Sequence, residues 1–333
     1  MGVSVAATRG PGQAALRGVA VASLLANIAI VLTGGAVRLT GSGLGCPAWP
    51  RCTEESYAAH GELGIHGAIE FGNRLLTFAL AAVAVATVVV VWRARPIDRV
   101  RRRLALLLAV GVPAQAVLGG LTVLTGLDPW LVAWHLLVSL AMVAISVVLL
   151  DRVGRGMESS ARQPVIPMPG SLRTLALATY GAVWVVVYLG TVVTGSGPHA
   201  GDAASPRNGL HPETVSQLHA DAVFLLVGMT IGVVLGLRAV GAPASAVRAA
   251  QWLLGVELAQ GAVGFVQYAT DLPIVLVELH LLGASLTVAA ATWLLLSVRA
   301  PRPARHRPNG SSDRWAAGAT KRSEDPSGSG RCR

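Results

Sequence analysis

The sequence contains few charged residues: only 13% of its 333 residues are Asp, Glu, Lys or Arg, whereas 53% are hydrophobic. Soluble globular domains carry about 25% charged residues, so this scarcity excludes an ordinary soluble fold. Acidic residues are the rarer kind, 17 against 27 basic ones, and the mean hydropathy is +0.58. A lipid membrane is therefore the expected solvent of this chain.

Eight long stretches of the sequence are predominantly apolar. A helix of roughly 20 residues crosses the hydrocarbon core of a bilayer, and each stretch reaches about that length. Because the stretches are continuous rather than alternating, they indicate helices and not the strands of a barrel. The sequence thus predicts an all-α membrane protein with eight transmembrane helices, at residues 17–39, 65–92, 104–125, 130–150, 174–194, 214–237, 249–269 and 274–298.

The basic residues are concentrated in every second connecting segment. If the N-terminus is cytoplasmic, 23 of the 27 basic residues lie on the cytoplasmic side, as the positive-inside rule requires. This distribution explains the net charge of +10 better than nucleic-acid binding does. We therefore predict a multi-pass protein of the cell membrane with both termini cytoplasmic.

An internal repeat divides the chain into two halves. At an offset of 145 residues, Gln115 matches Gln260, and the sequence His-Leu-Leu at His135 matches that at His280. Thr-Gly-Ser-Gly also occurs twice, at 40–43 and 194–197. Because each half has an even number of crossings, we expect two pseudo-symmetric four-helix bundles related by an axis along the membrane normal.

The predicted organisation has five parts. A short cytoplasmic N-terminus precedes the first half, a cytoplasmic linker separates the halves, and a basic tail follows the second half. The tail is rich in Pro, Gly, Ser and charge, a composition typical of disordered segments. The boundaries are 1–16 for the N-terminus, 17–150 for the first half, 151–173 for the linker, 174–298 for the second half and 299–333 for the tail.

Three histidines lie within predicted membrane helices, where ionisable residues are costly and usually functional. His135, His219 and His280 lie 16, 19 and 19 residues before the first charge at the inner end of their helices. The helical rise places all three at one depth, roughly 24–29 Å from the inner edge. Two neutral imidazoles from different helices can bind a haem iron axially, and His219 and His280 fit that role.

Zinc is the competing metal. It would need a third or fourth ligand, and these apolar helices offer little beyond Asp221 and Glu278. Haem is therefore the favoured ligand.

The second predicted helix carries a polar face in the first half. His66, Glu70 and Asn73 share one face through their spacing of four and three residues, and Asn73 occupies the position that matches His219. Arg74 lies four residues after Glu70, so the two can form a local ion pair. Alternatively, Glu70 acts as an acid, base or charge stabiliser beside a substrate, and Arg74 binds an anionic group such as a haem propionate.

Cys46 and Cys52 flank Pro-Ala-Trp-Pro-Arg in a predicted external loop. Disulfides persist in that compartment, and the sequence suits a bridge. The pair can be a structural staple, or a redox-active pair that exchanges electrons or thiols beside a redox site. The residues alone leave both roles open.

These motifs together resemble the haem A synthase family over residues 17–298. The resemblance implies an oxidoreductase that oxidises the C8 methyl group of haem O to a formyl group, producing haem A for terminal oxidases. It is carried by the eight spans in two repeats, Leu39-Thr-Gly-Ser-Gly-Leu-Gly-Cys46-Pro, the external Cys pair, Glu70 before Arg74, and His-Leu-Leu at His135 and His280.

The resemblance also implies roles for individual residues. His219 and His280 would be the axial ligands of a haem b cofactor in the second half. His135 would bind the iron of the substrate haem O, Glu70 would be the catalytic carboxylate, and the Cys pair would be redox-active. The enzyme that makes haem O and a quinone or other electron acceptor are the implied partners.

One position departs from the family pattern. The family has His three residues after the glutamate, whereas this sequence has Asn73. Either the substrate iron is five-coordinate on His135, or His66 substitutes, about 10 Å further outward on the same face.

Two other function classes are compatible with intramembrane polar residues. A di-haem cytochrome that carries electrons between a quinol and an external partner would need four axial histidines, and only three lie at the expected depth. A repeat-built transporter would need pairs of broken helices, for which the sequence offers only Gly111-Val-Pro113.

Overall fold

A computed structural model describes residues 11–155 and 168–298 of the chain. In this part of the protein the secondary structure is entirely helical, with a short 3-10 turn at Gly61–Leu63 and no strand. The eight α-helices are α1 Pro11–Leu39, α2 Gly64–Arg93, α3 Arg99–Leu124, α4 Pro129–Arg155, α5 Gly170–Ser196, α6 Pro212–Ala239, α7 Ala244–Ala269 and α8 Ile274–Ser297. Most of the predicted N-terminal segment, the middle of the linker and the predicted tail lie outside the described residues.

Seven of the eight helices are long and apolar enough, by length and composition, to cross a membrane. The exception is α7, which matches the seventh predicted span in position but carries Arg248, Glu257 and three glutamines along its length. The prediction of an all-helical, multi-pass membrane protein is therefore confirmed, while the count of eight crossings stays a prediction.

Several helices extend beyond the apolar stretches that predicted them. The third predicted span begins at residue 104, but α3 begins at Arg99, because the side chain of Asp98 accepts hydrogen bonds from the backbone of Val100 and Arg101. Asp98 also pairs with Arg152, Nε to Oδ2 at 2.8 Å, in the last turns of α4. Hydropathy marks the part of a helix inside the bilayer, whereas capping and ion pairs set its end in water.

The helices pack in two sets of four. In the first set α1 and α3 each contact both α2 and α4, and in the second set α5 and α7 each contact both α6 and α8. Contacts of α4 with α5, and of α8 with α1 and α4, join the two sets.

Hydrogen bonds between helices fix the interior of the first set. Ser23 of α1 bonds to Thr87 of α2 at 2.9 Å, and Asn27 bonds to Ser146 of α4 at 3.4 Å. All four side chains are buried. Such bonds hold helices in register where the lipid supplies no hydrophobic driving force.

The two halves are also tied together at both ends of the helices. Arg38, in the last turn of α1, donates to the carbonyl oxygens of Thr194 and His199 at 3.0 and 2.7 Å. At the opposite end, Arg155 of α4 donates to the carbonyl oxygen of Leu296 at 2.7 Å. These contacts fix the first half against the second.

We expect Asp98→Ala to lower the melting temperature of the purified protein, because a helix cap is worth about 1 kcal/mol. Burial raises the pKa of Asp98. Hydrogen bonds from Arg152 and from the backbone of Arg101 and Val100, together with the charge of Arg152, lower it by more. The pKa of Asp98 is therefore below its usual value. The stabilisation is thus complete above about pH 3.9 and is lost as the pH falls further.

Thermal unfolding in detergent at several pH values measures this effect. Asp151→Ala is the matched control, since Asp151 pairs with Arg155 at 2.9 Å but caps no helix. Equal melting temperatures for the two variants at neutral pH would contradict the assignment.

Candidate functional site

The structure brings His219 of α6 and His280 of α8 together. Their ring centres lie 6.5 Å apart and the ring planes meet at 72°. Two imidazoles that bind one metal ion from opposite sides, each through a bond of about 2 Å, have ring centres on the order of 6 Å apart. The spacing of this pair therefore suits a shared metal ion.

Each of the three intramembrane histidines packs against a glycine of the preceding helix. A Cβ atom at Gly119, Gly190 or Gly264 would lie 3.2, 3.3 or 3.5 Å from Cε1 of His135, His219 or His280, respectively. The ring in each case lies directly on the backbone of the neighbouring helix. A Cβ at Gly119 or Gly190 would press on the ring, whereas one at Gly264 would make an ordinary van der Waals contact with it.

The same three imidazoles have buried Nδ1 atoms without a hydrogen-bond partner. Burying an unpaired polar atom is unfavourable, so native proteins seldom retain one without a functional reason. The three unpaired atoms therefore mark these histidines as candidates for a functional role.

A glutamine fixes the backbone beside two of these histidines. Nε2 of Gln115 donates to the carbonyl oxygen of His135 at 2.9 Å, and Nε2 of Gln260 donates to that of His280 at 2.8 Å. A Cβ at Gly283 would collide with the Gln260 side chain. Gly283 therefore makes room for this glutamine.

The chemistry of the donor set distinguishes haem from zinc. A structural or catalytic zinc ion needs three or four protein ligands. Among residues 11–155 and 168–298, no group of three His, Cys, Asp or Glu side chains could hold a metal ion. Two facing imidazoles without further ligands fit the axial positions of a haem iron, whose other four ligands come from the porphyrin.

In the first half, Glu70 is buried, with 4% of its surface exposed, and both of its oxygens are bonded. Oε2 accepts a hydrogen bond from the backbone N–H of Cys46 at 2.7 Å, and Oε1 accepts from Nη2 of Arg74 at 2.6 Å. The local ion pair that the spacing predicts is thus present, and it fixes the orientation of the carboxylate.

Arg74 also holds the loop between α1 and α2. Its guanidinium donates to the carbonyl oxygens of Cys46, Ala48 and Arg51 at 2.9–3.1 Å. These contacts and the ion pair with Glu70 use the donors of Arg74, so the structure directs this side chain at the loop and not at an external anion.

Cys46 and Cys52 form a disulfide, and both are fully buried. Between them, the indole of Trp49 lies directly over Gly120 of α3. Gly120 is next to Gly119, on which His135 packs, so the loop covers the helix that supports this histidine. Sequence reasoning missed this contact, although the paired glycines of α3 were a signal that something packs closely there.

Asn73 and His66 have partners of their own. Thr33 of α1 donates to Oδ1 of Asn73 at 2.8 Å, and Nδ1 of the exposed His66 lies 2.9 Å from the hydroxyl of Ser42. Within the part of the chain that the structure describes, no hydrogen bond joins His135 to Glu70, Asn73 or His66. The structure therefore connects His66 with the external turn after α1.

Sequence reasoning also missed Glu257. This residue of α7 is 3% exposed, and Oε1 accepts a hydrogen bond from Thr230 of α6 at 2.9 Å. Its signal in the sequence was plain, because it is the only acidic residue of α7.

Comparison with known proteins identifies the family. A family model described as cytochrome oxidase assembly protein, COX15-CtaA, matches residues 17–222, well over half of the chain. The chain belongs to this family. The COX15-CtaA match includes the candidate residues from Cys46 to His219 and ends before His280.

Curated relatives of this COX15-CtaA chain carry the name heme A synthase. The relative from Symbiobacterium thermophilum is 32% identical over 192 residues, covering 54% of this chain and 59% of the relative. The relative from Bacillus licheniformis is 27% identical over 180 residues, covering 54% of this chain and 58% of the relative. The relative from Bacillus pumilus is 31% identical over 170 residues, covering 49% of this chain and 54% of the relative. The chain thus spans just over half the length of the curated relatives it matches, and the predicted membership of the haem A synthase family is confirmed.

We expect Arg74→Gln to release the external loop. Hydrogen bonds to charged groups are worth about 1.5–3 kcal/mol, so amide hydrogen exchange across residues 46–52 should become at least about tenfold faster. Exchange measured by mass spectrometry tests this, with Arg93→Gln at the inner end of the same helix as control. Unchanged exchange of the loop would show that Arg74 does not hold it.

Proposed function

We propose that this chain is a haem A synthase, an oxidoreductase that converts the C8 methyl group of haem O into the formyl group of haem A. The observation that carries the proposal is the pair His219 and His280, whose rings face each other at 6.5 Å in the half opposite the buried Glu70. Family membership and the names of the relatives support the same activity.

The proposed architecture is two pseudo-symmetric four-helix bundles, with α7 as an eighth crossing. The two sets of packed helices and the repeated contact of Gln115 and Gln260 with a histidine carbonyl support it. Short connections join α7 to α6 and α8, which favours antiparallel neighbours. The basic residues between α2 and α3 and at the inner end of α4 support cytoplasmic termini in the cell membrane.

In the second half, His219 and His280 would hold haem b as axial ligands. Gly190 and Gly264 let the two rings lie against α5 and α7, which fixes their separation, and Gln260 fixes the backbone at His280. When bound, haem b supplies one-electron redox chemistry at its iron. The apolar surroundings exclude water from this half.

In the first half, His135 would bind the iron of the substrate haem O. Its ring rests on Gly119 and its Nδ1 is free of other partners. Glu70 would be the catalytic carboxylate: Oε1 accepts two hydrogen bonds from Arg74, whereas Oε2 accepts one from the Cys46 amide and retains an acceptor site. Glu70 can therefore orient a water molecule or stabilise positive charge at the carbon that is oxidised.

The contacts of Arg74 favour a positioning role over propionate binding. By holding both Glu70 and the loop of Cys46 and Cys52, Arg74 connects the carboxylate with the disulfide. We propose that the disulfide staples this loop over the substrate half. Its use as a redox-active pair, which the resemblance implies, is compatible with the same position.

Asn73 leaves the substrate iron with one protein ligand. Its Oδ1 is bonded to Thr33, and His66, the alternative ligand, is exposed and bonded to Ser42. We therefore favour a five-coordinate iron on His135. The comparisons lend no support to an electron-carrying cytochrome, and the asymmetry at Asn73 also argues against two equivalent haem sites.

Glu70→Gln should abolish haem A formation while the haem of the second half remains. General acid–base groups contribute about 10²–10⁴-fold in rate, so haem A extracted from cells that make haem O should fall at least about 100-fold. Glu62→Gln, an exposed acid just before the same helix, is the control. A normal yield of haem A from Glu70→Gln would reject the catalytic role.

The axial ligands can be assigned from optical and paramagnetic spectra of the purified protein. His219→Ala and His280→Ala should each remove the signal of a six-coordinate haem, whereas His66→Ala should leave the spectra unchanged. Asn73→His should convert the five-coordinate substrate haem into a six-coordinate one. If His66→Ala alters the substrate haem as His135→Ala does, His66 is the missing ligand.

A further inference from the structure

Among the described residues two carboxylates are buried, Glu70 and Glu257, and the proposed reaction gives Glu257 no task. It lies near the middle of α7, and only Thr230 of α6 contacts its carboxylate through a hydrogen bond. Its second oxygen, Oε2, is buried and has no partner. Leu253, one turn earlier on α7, and Val233 and Val234 on α6 belong to the buried apolar cluster of this half.

No fixed positive charge compensates Glu257. Among the described residues it takes part in no ion pair, unlike Glu70. The titratable groups on α7 and on the two helices packed against it are Arg248 and Tyr268 on α7, Glu213, His219, Asp221 and Arg238 on α6, and Glu278 and His280 on α8. Arg238, the cation on α6, lies eight residues from Thr230 towards the inner end, and His219 lies eleven residues away towards the outer end.

The proposed haem site lies within electrostatic reach of this carboxylate. Gly264, on which His280 packs, is seven residues further along α7, a rise of about 10 Å. Glu257 therefore lies on the inner side of the histidine pair, in the same apolar bundle. At such distances a change of one unit of charge on the haem strongly changes the electrostatic energy of the carboxylate, because the surrounding medium is apolar.

The charge on the iron decides which form of Glu257 is favoured. An isolated carboxylate in an apolar interior is unstable and takes up a proton. A ferric haem bound by two neutral imidazoles carries one positive charge at its centre, which favours the ionised carboxylate, and reduction removes that charge. Bound metal ions of this kind are the largest local charges and govern nearby proton equilibria.

We propose that Glu257 is a redox-linked proton site: it binds one proton when the haem held by His219 and His280 gains one electron, and it releases that proton on oxidation. In the reduction, a one-electron donor supplies the electron, iron passes from ferric to ferrous, and the proton comes from water and forms the O–H bond of the carboxyl group. The inference rests on the proposed haem site, and it keeps the charge of the bundle constant through the redox cycle.

The test is a redox titration of the purified, haem-loaded full chain between pH 6 and pH 9, with the spectrum of the six-coordinate haem as readout. One proton per electron makes the midpoint potential fall by about 59 mV for each pH unit. The wild-type protein should approach this slope over part of the range. Glu257→Gln should lose most of it, while Glu213→Gln, an exposed acid of α6, should keep it.

Thr230→Val removes the hydrogen bond to the carboxylate without changing the haem ligands. This variant should move the sloping part of the plot of midpoint potential against pH to higher pH. If Glu257→Gln does not fold, the result with Thr230→Val is the test of the inference. Equal slopes in wild type and Glu257→Gln, or an unmoved curve in Thr230→Val, would overturn the inference. A chain that binds no six-coordinate haem at all would instead reject the proposed haem site.

Discussion

The separation between the imidazoles of His219 and His280 is the constraint on which the rest of the structure depends. His219 and His280 project from α6 and α8 into an apolar interior, and glycines on α5 and α7 let each ring lie against a neighbouring backbone. Two neutral rings with unpaired nitrogens are unfavourable in such surroundings unless a bound group completes their bonding. We therefore propose that the second half binds a ligand with two axial positions, and its four helices must keep their register to preserve that spacing.

The first half uses the same helix arrangement for a different purpose. Gln115 and Gly119 repeat the support that Gln260 and Gly264 give to their histidine, but Asn73 stands where a facing imidazole would be required. Thr33 donates a hydrogen bond to the side-chain oxygen of this asparagine. One axial position of the proposed substrate haem would thereby lack a protein ligand, as suits a group that must bind, react and leave.

The sequence predicts what periodicity and local spacing determine. Apolar stretches located all eight helices, and the spacing of four residues predicted the pair of Glu70 and Arg74. Contacts between distant segments could not be read in this way: the partners of Arg74 in the loop, the indole of Trp49 on Gly120, and the cap that starts α3 at Arg99 depend on tertiary packing. Glu257 was overlooked because it has no counterpart in the first half, and the repeat had directed attention to positions that match.

The two deeply buried glutamates differ in what neutralises them, and this difference indicates what each can do. Glu70 has a permanent cation, Arg74, at 2.6 Å, which provides a fixed counter-charge and fixes the direction of its oxygens. A carboxylate of this kind suits the orientation of a reacting group. Glu257 accepts a hydrogen bond only from the neutral hydroxyl of Thr230, so its charge depends on other charges in the bundle, such as that of a bound haem. An environment without a fixed counter-charge suits a group that gains and loses a proton, and it places that function in the half that would carry the electrons.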